Sequence, residues 1–203
     1  MGAALLGSRH DGGVAPTRTF VAIALPDSVR SGIGSIVAAQ RREGPAGLRW
    51  ANARQAHLTL AFLGDLDADA LQHVRSCVRG VARASAPVPS EVCGAGAFPR
   101  ADAARVLWLG WGVGADALTE AHEALRVALR SAGVAVKARR FTPHVTIARA
   151  RVPLDLRAHV AVLRPWRSEP WIVTSFDVMA SRLTPAGPEH IQLERCVLAP
   201  DSL

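Results

Sequence analysis

The sequence predicts an α+β fold of two intimately packed lobes, built mostly from antiparallel sheet with flanking helices. Two local observations point there: strand-like and helix-like segments are mixed along the chain, and several neighbouring strands are close enough to form hairpins. The third is a repeat. The tetrapeptide histidine, apolar, threonine, apolar is written at His57 and again at His144, a separation (144 − 57 = 87) too long for a solenoid and suited to two halves of one domain.

Taken in order, the opening MGAALLGSRHDGGVAPT is rich in small residues, and residues 1–17 read as a flexible tail ahead of one bilobal domain, 18–203. RTFVAIALP at Arg18 to Pro26 alternates as a strand, and its proline opens a helix through DSVRSGIGSIVAAQRREG. GPAG breaks the chain, LRW starts a short strand, and HLTLAFLG forms a third that is expected to stop at Gly64. From Asp65 to Ala84 the apolar residues Leu66, Ala70, Val74, Cys77, Val78 and Val81 recur at helical spacing. APVPSEVCGAGAF and RVLWLGWGV read as an antiparallel strand pair. ADALTEAHEALRVALRSAG is the clearest helix, with acids early, arginines late and Gly133 beyond its end. PHVTIARARV is a strand, Leu154 to Leu163 a helix, and WIVTSFDVMASRL and HIQLERCVL two closing strands.

Composition bounds the function. With 203 residues, 49% of them apolar, the chain can bury an ordinary core, and it has no apolar run long enough to span a bilayer. Three cysteines without a CxxC pair fit neither a disulfide framework nor a zinc knuckle, which predicts a cytoplasmic setting. The net charge of +7 suits a polyanionic partner, although 24 basic residues with Lys137 the sole lysine also reflect arginine-favouring codons.

In a strand, alternate residues share a face. His57 and Thr59 therefore point one way, as do His144 and Thr146, while Leu58, Leu60, Val145 and Ile147 form the buried side. One such tetrapeptide is expected about 0.07 times by chance in a chain of this composition, and two on the order of 0.002 times. Histidine gives and takes protons in the physiological range, so two of them flanking one atom make an acid and base couple. A threonine hydroxyl beside each adds a donor for a phosphoryl group gaining charge. One histidine per strand, with no carboxylate or thiol beside it, is a poor set of metal ligands.

The two elements, His57-Leu-Thr-Leu and His144-Val-Thr-Ile, resemble the 2H phosphoesterase superfamily. Their surroundings, RTFVAIALP, LRWANARQAHLTLAFLGD, RRFTPHVTIARAR and FDVMASRLTPAGPEHIQL, look more narrowly like the bacterial and archaeal RNA 2′,3′-cyclic phosphodiesterases, long called 2′-5′ RNA ligases. The resemblance implies a motif strand from each lobe facing a central cleft. It also implies metal-independent and cofactor-free opening of a terminal 2′,3′-cyclic phosphate to a 2′-phosphate, with 2′-5′ ligation as the reverse reaction. His57 would be the proton donor and His144 the acceptor, with Thr59 and Thr146 on the non-bridging oxygens. The partners would be RNA ends or nucleotide cyclic phosphates, with no membrane, and the protein is expected to be a monomer.

Arg140 and Arg149 flank the second motif and could clamp phosphate oxygens. Strand parity puts only Arg140 on the face of His144, although Pro143 interrupts that regularity. Phe141 is a candidate to stack a terminal base. His190 stands in GPEHIQL where the resembled family usually has an aromatic, often tyrosine, and His10, His73, His122 and His159 are assigned to the tail or to helix surfaces. A binding module for phosphorylated RNA ends and a metal-dependent hydrolase stay open as alternatives.

Overall fold

The computed structural model describes residues 17–136, 140–184 and 187–199. The expected tail falls almost wholly outside them. β1 (Thr17–Ala24) leads through α1 (Asp27–Arg42) to β2 (Leu48–Trp50), a 3-10 turn (Ala53–Gln55) and β3 (His57–Leu66). α2 (Ala68–Arg83), β4 (Val88–Ser90), β5 (Val92–Phe98) and β6 (Ala104–Trp111) follow. The second half runs α3 (Ala115–Ser131), β7 (His144–Leu154), α4 (Arg157–Leu163), β8 (Trp171–Val173), β9 (Ser175–Thr184) and β10 (Gly187–Val197).

All the strand pairs are antiparallel, so the expected class holds. The main sheet is ordered β10-β9-β1-β3-β7-β6-β5, with β2 also on β7, and β4 with β8 forms a separate small sheet. Its middle is thin: β3 and β7 share one registered pair, Leu58 with Val145, and that pair is the seam between the lobes. α2 and α3 lie on the β3, β9 and β10 side, burying Val74, Val78, Leu118 and Leu125. α1 lies against the 3-10 turn and α4 against β5, and the two meet where His159 Nδ1 donates to Gln40 Oε1 at 2.6 Å. One apolar cluster extends through both lobes. No helix among the described residues is long and apolar enough to cross a membrane.

Several boundaries differ from the sequence expectation. β3 continues past Gly64 to Leu66, because Gly64, at φ +78°, makes a bulge opposite Thr19 and the ladder with β1 resumes. The helix starts only at Ala68, capped by Asp67, whose carboxylate accepts from the Ala70 N–H at 2.8 Å. APVPSEVCGAGAF and WIVTSFDVMASRL each split in two, since β4 and β8 leave the main sheet to pair with each other. Strand β7 reaches Leu154, so α4 is shorter than Leu154 to Leu163. His159 is buried on Gln40 rather than exposed on a helix surface.

Candidate active site

The two motif strands bring His57 and His144 to the same side of the sheet seam, with Leu58, Leu60, Val145 and Ile147 buried behind them. The residue opposite each histidine is small: Ala24 faces His57 across β1 and Gly110 faces His144 across β6. Space above the strands follows from these small neighbours. Each imidazole is also braced by rings. His57 lies 5.0 Å from Phe20 and 5.0 Å, edge to face, from His190. His144 lies 5.1 Å from Phe98 and 6.0 Å from Trp108, whose indole spreads over Gly96, where a Cβ would sit 2.2 Å from it.

The tautomers are fixed by the backbone. His57 Nδ1 is 2.8 Å from the Gln55 carbonyl, and His144 Nδ1 is 2.7 Å from the Thr142 carbonyl. A carbonyl only accepts, so Nδ1 carries the proton in both rings and each Nε2 is left for the cleft. Burial pushes His57 down to about 4, a fall eased by its bond to Gln55 and deepened by the charges of His190, Arg149 and His144. His144 is lowered by burial and by Arg149, against the pull of the Thr142 carbonyl. The charge of Arg149 acts on both imidazoles, so the guanidinium stands near each of them.

Arg149 stands there against the parity expectation. Across β6, Trp108 pairs with Thr146 but Leu107 pairs with Ala148, so Ile147 is an extra, bulged residue. Ile147 and Ala148 are both buried, and Arg149 is thereby turned to the face of His144 and Thr146, its Nη2 3.5 Å from Thr146 Oγ1. Burial lowers the Arg149 guanidinium. Arg140 precedes the strand, is exposed and makes no hydrogen bond or ion pair among the described residues. The structure thus brings Arg149 beside the Thr146 hydroxyl of the motif.

The first motif carries the same bulge. Ala22 pairs with Thr59 and Val21 with Ala61, leaving Leu60 as the extra residue and turning Phe62 to the cleft face, 49% exposed, where Arg149 stands in the other half. Sequence reasoning stopped at four residues, whereas the repeat runs to six: HLTLAF beside HVTIAR. That longer alignment was the signal for Phe62. Each bulge frees a carbonyl that must be satisfied elsewhere. The Ile147 carbonyl accepts from the Ala51 N–H at 2.9 Å, and the Leu60 carbonyl accepts from His122 Nδ1 at 2.7 Å.

His122 is therefore half-buried and not a free surface residue. Its ring also stacks on Phe141, 4.2 Å between centroids and 6° from parallel, so it touches the segments that carry both motifs. Phe141 correspondingly has one ring face covered and packs against the core, which closes that face to a base. His190 Nδ1 is buried without a hydrogen-bond partner among the described residues, and burial lowers its pKa. No group of three His, Cys, Asp or Glu among the described residues is placed to hold a metal ion.

Known proteins share this architecture and sequence. An RNA 2′,3′-cyclic phosphodiesterase of Thermotoga maritima is 31% identical over 183 residues, 88% of this chain and 94% of its own. One of Thermus thermophilus is 33% identical over 192 residues, 88% of each chain. Among solved structures, a protein of Thermus thermophilus superposes with TM-score 0.74 at 26% identity, covering 91% of this chain and 99% of its own. Escherichia coli LigT, solved with 3′-AMP, gives TM-score 0.73 at 27% identity, covering 90% and 98%. The family model of the 2′-5′ RNA ligase superfamily matches residues 25–184, and this chain belongs to that superfamily.

Proposed function

We propose that this protein hydrolyses 2′,3′-cyclic phosphates at RNA or nucleotide ends, leaving a 2′-phosphate and a free 3′-hydroxyl. The observation that carries the reading is the pair of inward imidazoles, each held at Nδ1 by a carbonyl two residues upstream. His144 Nε2 removes a proton from water as its oxygen bonds to phosphorus, the P–O3′ bond breaks, and His57 Nε2–H delivers a proton to O3′. The same attack by a 5′-hydroxyl in place of water gives a 2′-5′ phosphodiester. The curated relatives named RNA 2′,3′-cyclic phosphodiesterase support the substrate class.

The electrostatics say when His57 becomes an acid. With its value near 4, the imidazole is neutral at physiological pH before substrate binds. A bound phosphate anion offsets Arg149 and favours the imidazolium, so the proton is taken up together with the substrate. A group so reluctant to hold its proton is then a strong donor to a departing alkoxide. In this reading Thr59, Thr146 and Arg149 hold the non-bridging oxygens as their charge grows. Phe62, exposed on the same face, offers a ring on which the terminal base can stack.

The test is purified protein in chelator with an oligonucleotide ending in a 2′,3′-cyclic phosphate, the 2′- and 3′-phosphate products being separated. A 2′-phosphate product that falls by at least 100-fold in His57→Ala and in His144→Ala is expected, from the size of acid and base contributions. A 3′-phosphate product, or full activity in both variants, would overturn the mechanism.

A further inference from the structure

Next to the reacting groups stands a cation that the chemistry at one phosphorus does not use. β2 lies on β7 with Arg49 directly opposite Arg149. Opposed residues of an antiparallel pair rise on the same face with Cβ atoms about 5 Å apart, so Arg49 shares the face of Arg149, Thr146 and His144. The other side of β2 is anchored: the Trp50 ring packs edge to face on His159, and Leu48 packs against the core. That anchoring holds Arg49 on the cleft side.

Two like charges placed so weaken the strand pair they sit on. Neither guanidinium has an ion-pair partner among the described residues, and Arg49 makes no hydrogen bond there. Some other arginines do have acidic partners: Arg75 and Arg79 both reach Glu194, and Arg195 reaches Asp177. A terminal cyclic phosphate carries one negative charge, already met by Arg149 and the two threonines. A second unpaired guanidinium, about one strand spacing further on, matches a second phosphate of the same chain.

We propose that Arg49 holds the phosphodiester preceding the terminal cyclic phosphate, so that the site takes the end of an oligonucleotide in preference to a single nucleotide. This rests on the cyclic phosphodiesterase reading above. The experiment compares kcat/KM for a 2′,3′-cyclic mononucleotide with that for a dinucleotide of the same terminal base bearing one internal phosphodiester, in the wild type and in Arg49→Gln. One charge-assisted, bidentate contact predicts a preference for the dinucleotide of about tenfold in the wild type, falling to near unity in the variant.

Binding of the same dinucleotide ended by a 2′-phosphate is measured in parallel against salt, which needs no turnover. The slope of log affinity against log salt is expected to fall by about 1 or slightly less in the variant. Equal rates for the two substrates in the wild type, an undiminished preference in Arg49→Gln, or an unchanged salt slope would each overturn the assignment. Salt-dependent binding that Arg49→Gln weakens, without hydrolysis of either substrate, would support Arg49 and overturn the hydrolytic reading instead.

Discussion

Replacing His57 by glutamine removes a proton-binding site that folding suppresses, and this makes the site visible in stability as well as in catalysis. In the unfolded chain the imidazole titrates near its ordinary 6.5, whereas burial holds it at about 4 in the folded protein. Between those values the unfolded chain binds a proton that the folded chain refuses, so stability is full above 6.5, declines as pH falls, and levels off below about 4. Between pH 7 and pH 5 the shift costs the wild type about 2 kcal/mol. His144 and His190 are lowered too and add acid sensitivity to both proteins. Urea unfolding of wild type and His57→Gln at both pH values isolates the share of His57, because the intrinsic effect of the substitution cancels in the difference. The variant is expected to lose about 2 kcal/mol less than the wild type over that interval. Equal losses would refute the claim that the fold excludes the imidazolium.

Two further substitutions test the neighbours of the histidines. Arg149→Gln removes a positive charge that opposes protonation of His144, so the acid limb of kcat/KM against pH should move to higher pH, with KM rising about tenfold as one phosphate clamp is lost. His122→Phe keeps the stack on Phe141 but strands the Leu60 carbonyl, and is expected to cost about 1–3 kcal/mol in urea unfolding. The same variant should lower kcat about tenfold with little change in KM, because the spacing of the two motif strands, and not phosphate affinity, is what His122 supports.

The paired motif was legible because a strand writes its two faces into alternate residues, and both copies alternate cleanly over four positions. Arg149 was not, since parity presumes an even strand, and the bulge at Ile147 exists only because β6 pairs on one side and Ala51 on the other. Gly64 likewise reads as a stop by itself and is a bulge only in the presence of Thr19. β4 and β8 are three residues each and pair across most of the second half of the chain, a partnership no local window contains. His122 sits between Leu118 and Leu125 on the buried side of α3, a helical position that marks it as half inside. What decided its role was a carbonyl released by a bulge 62 residues earlier in the chain.

The seam at Leu58 and Val145 separates two degrees of freedom of the histidine pair. How each imidazole is oriented, and which nitrogen is bare, is decided inside its own lobe by a carbonyl two residues away. How far apart the imidazoles stand is decided between lobes, by the ladder pair, the His122 brace and the apolar cluster that runs through both. A rocking of one lobe against the other would therefore tune the reach of the acid and base across substrates of different girth while leaving their chemical identity as proton carriers unaltered.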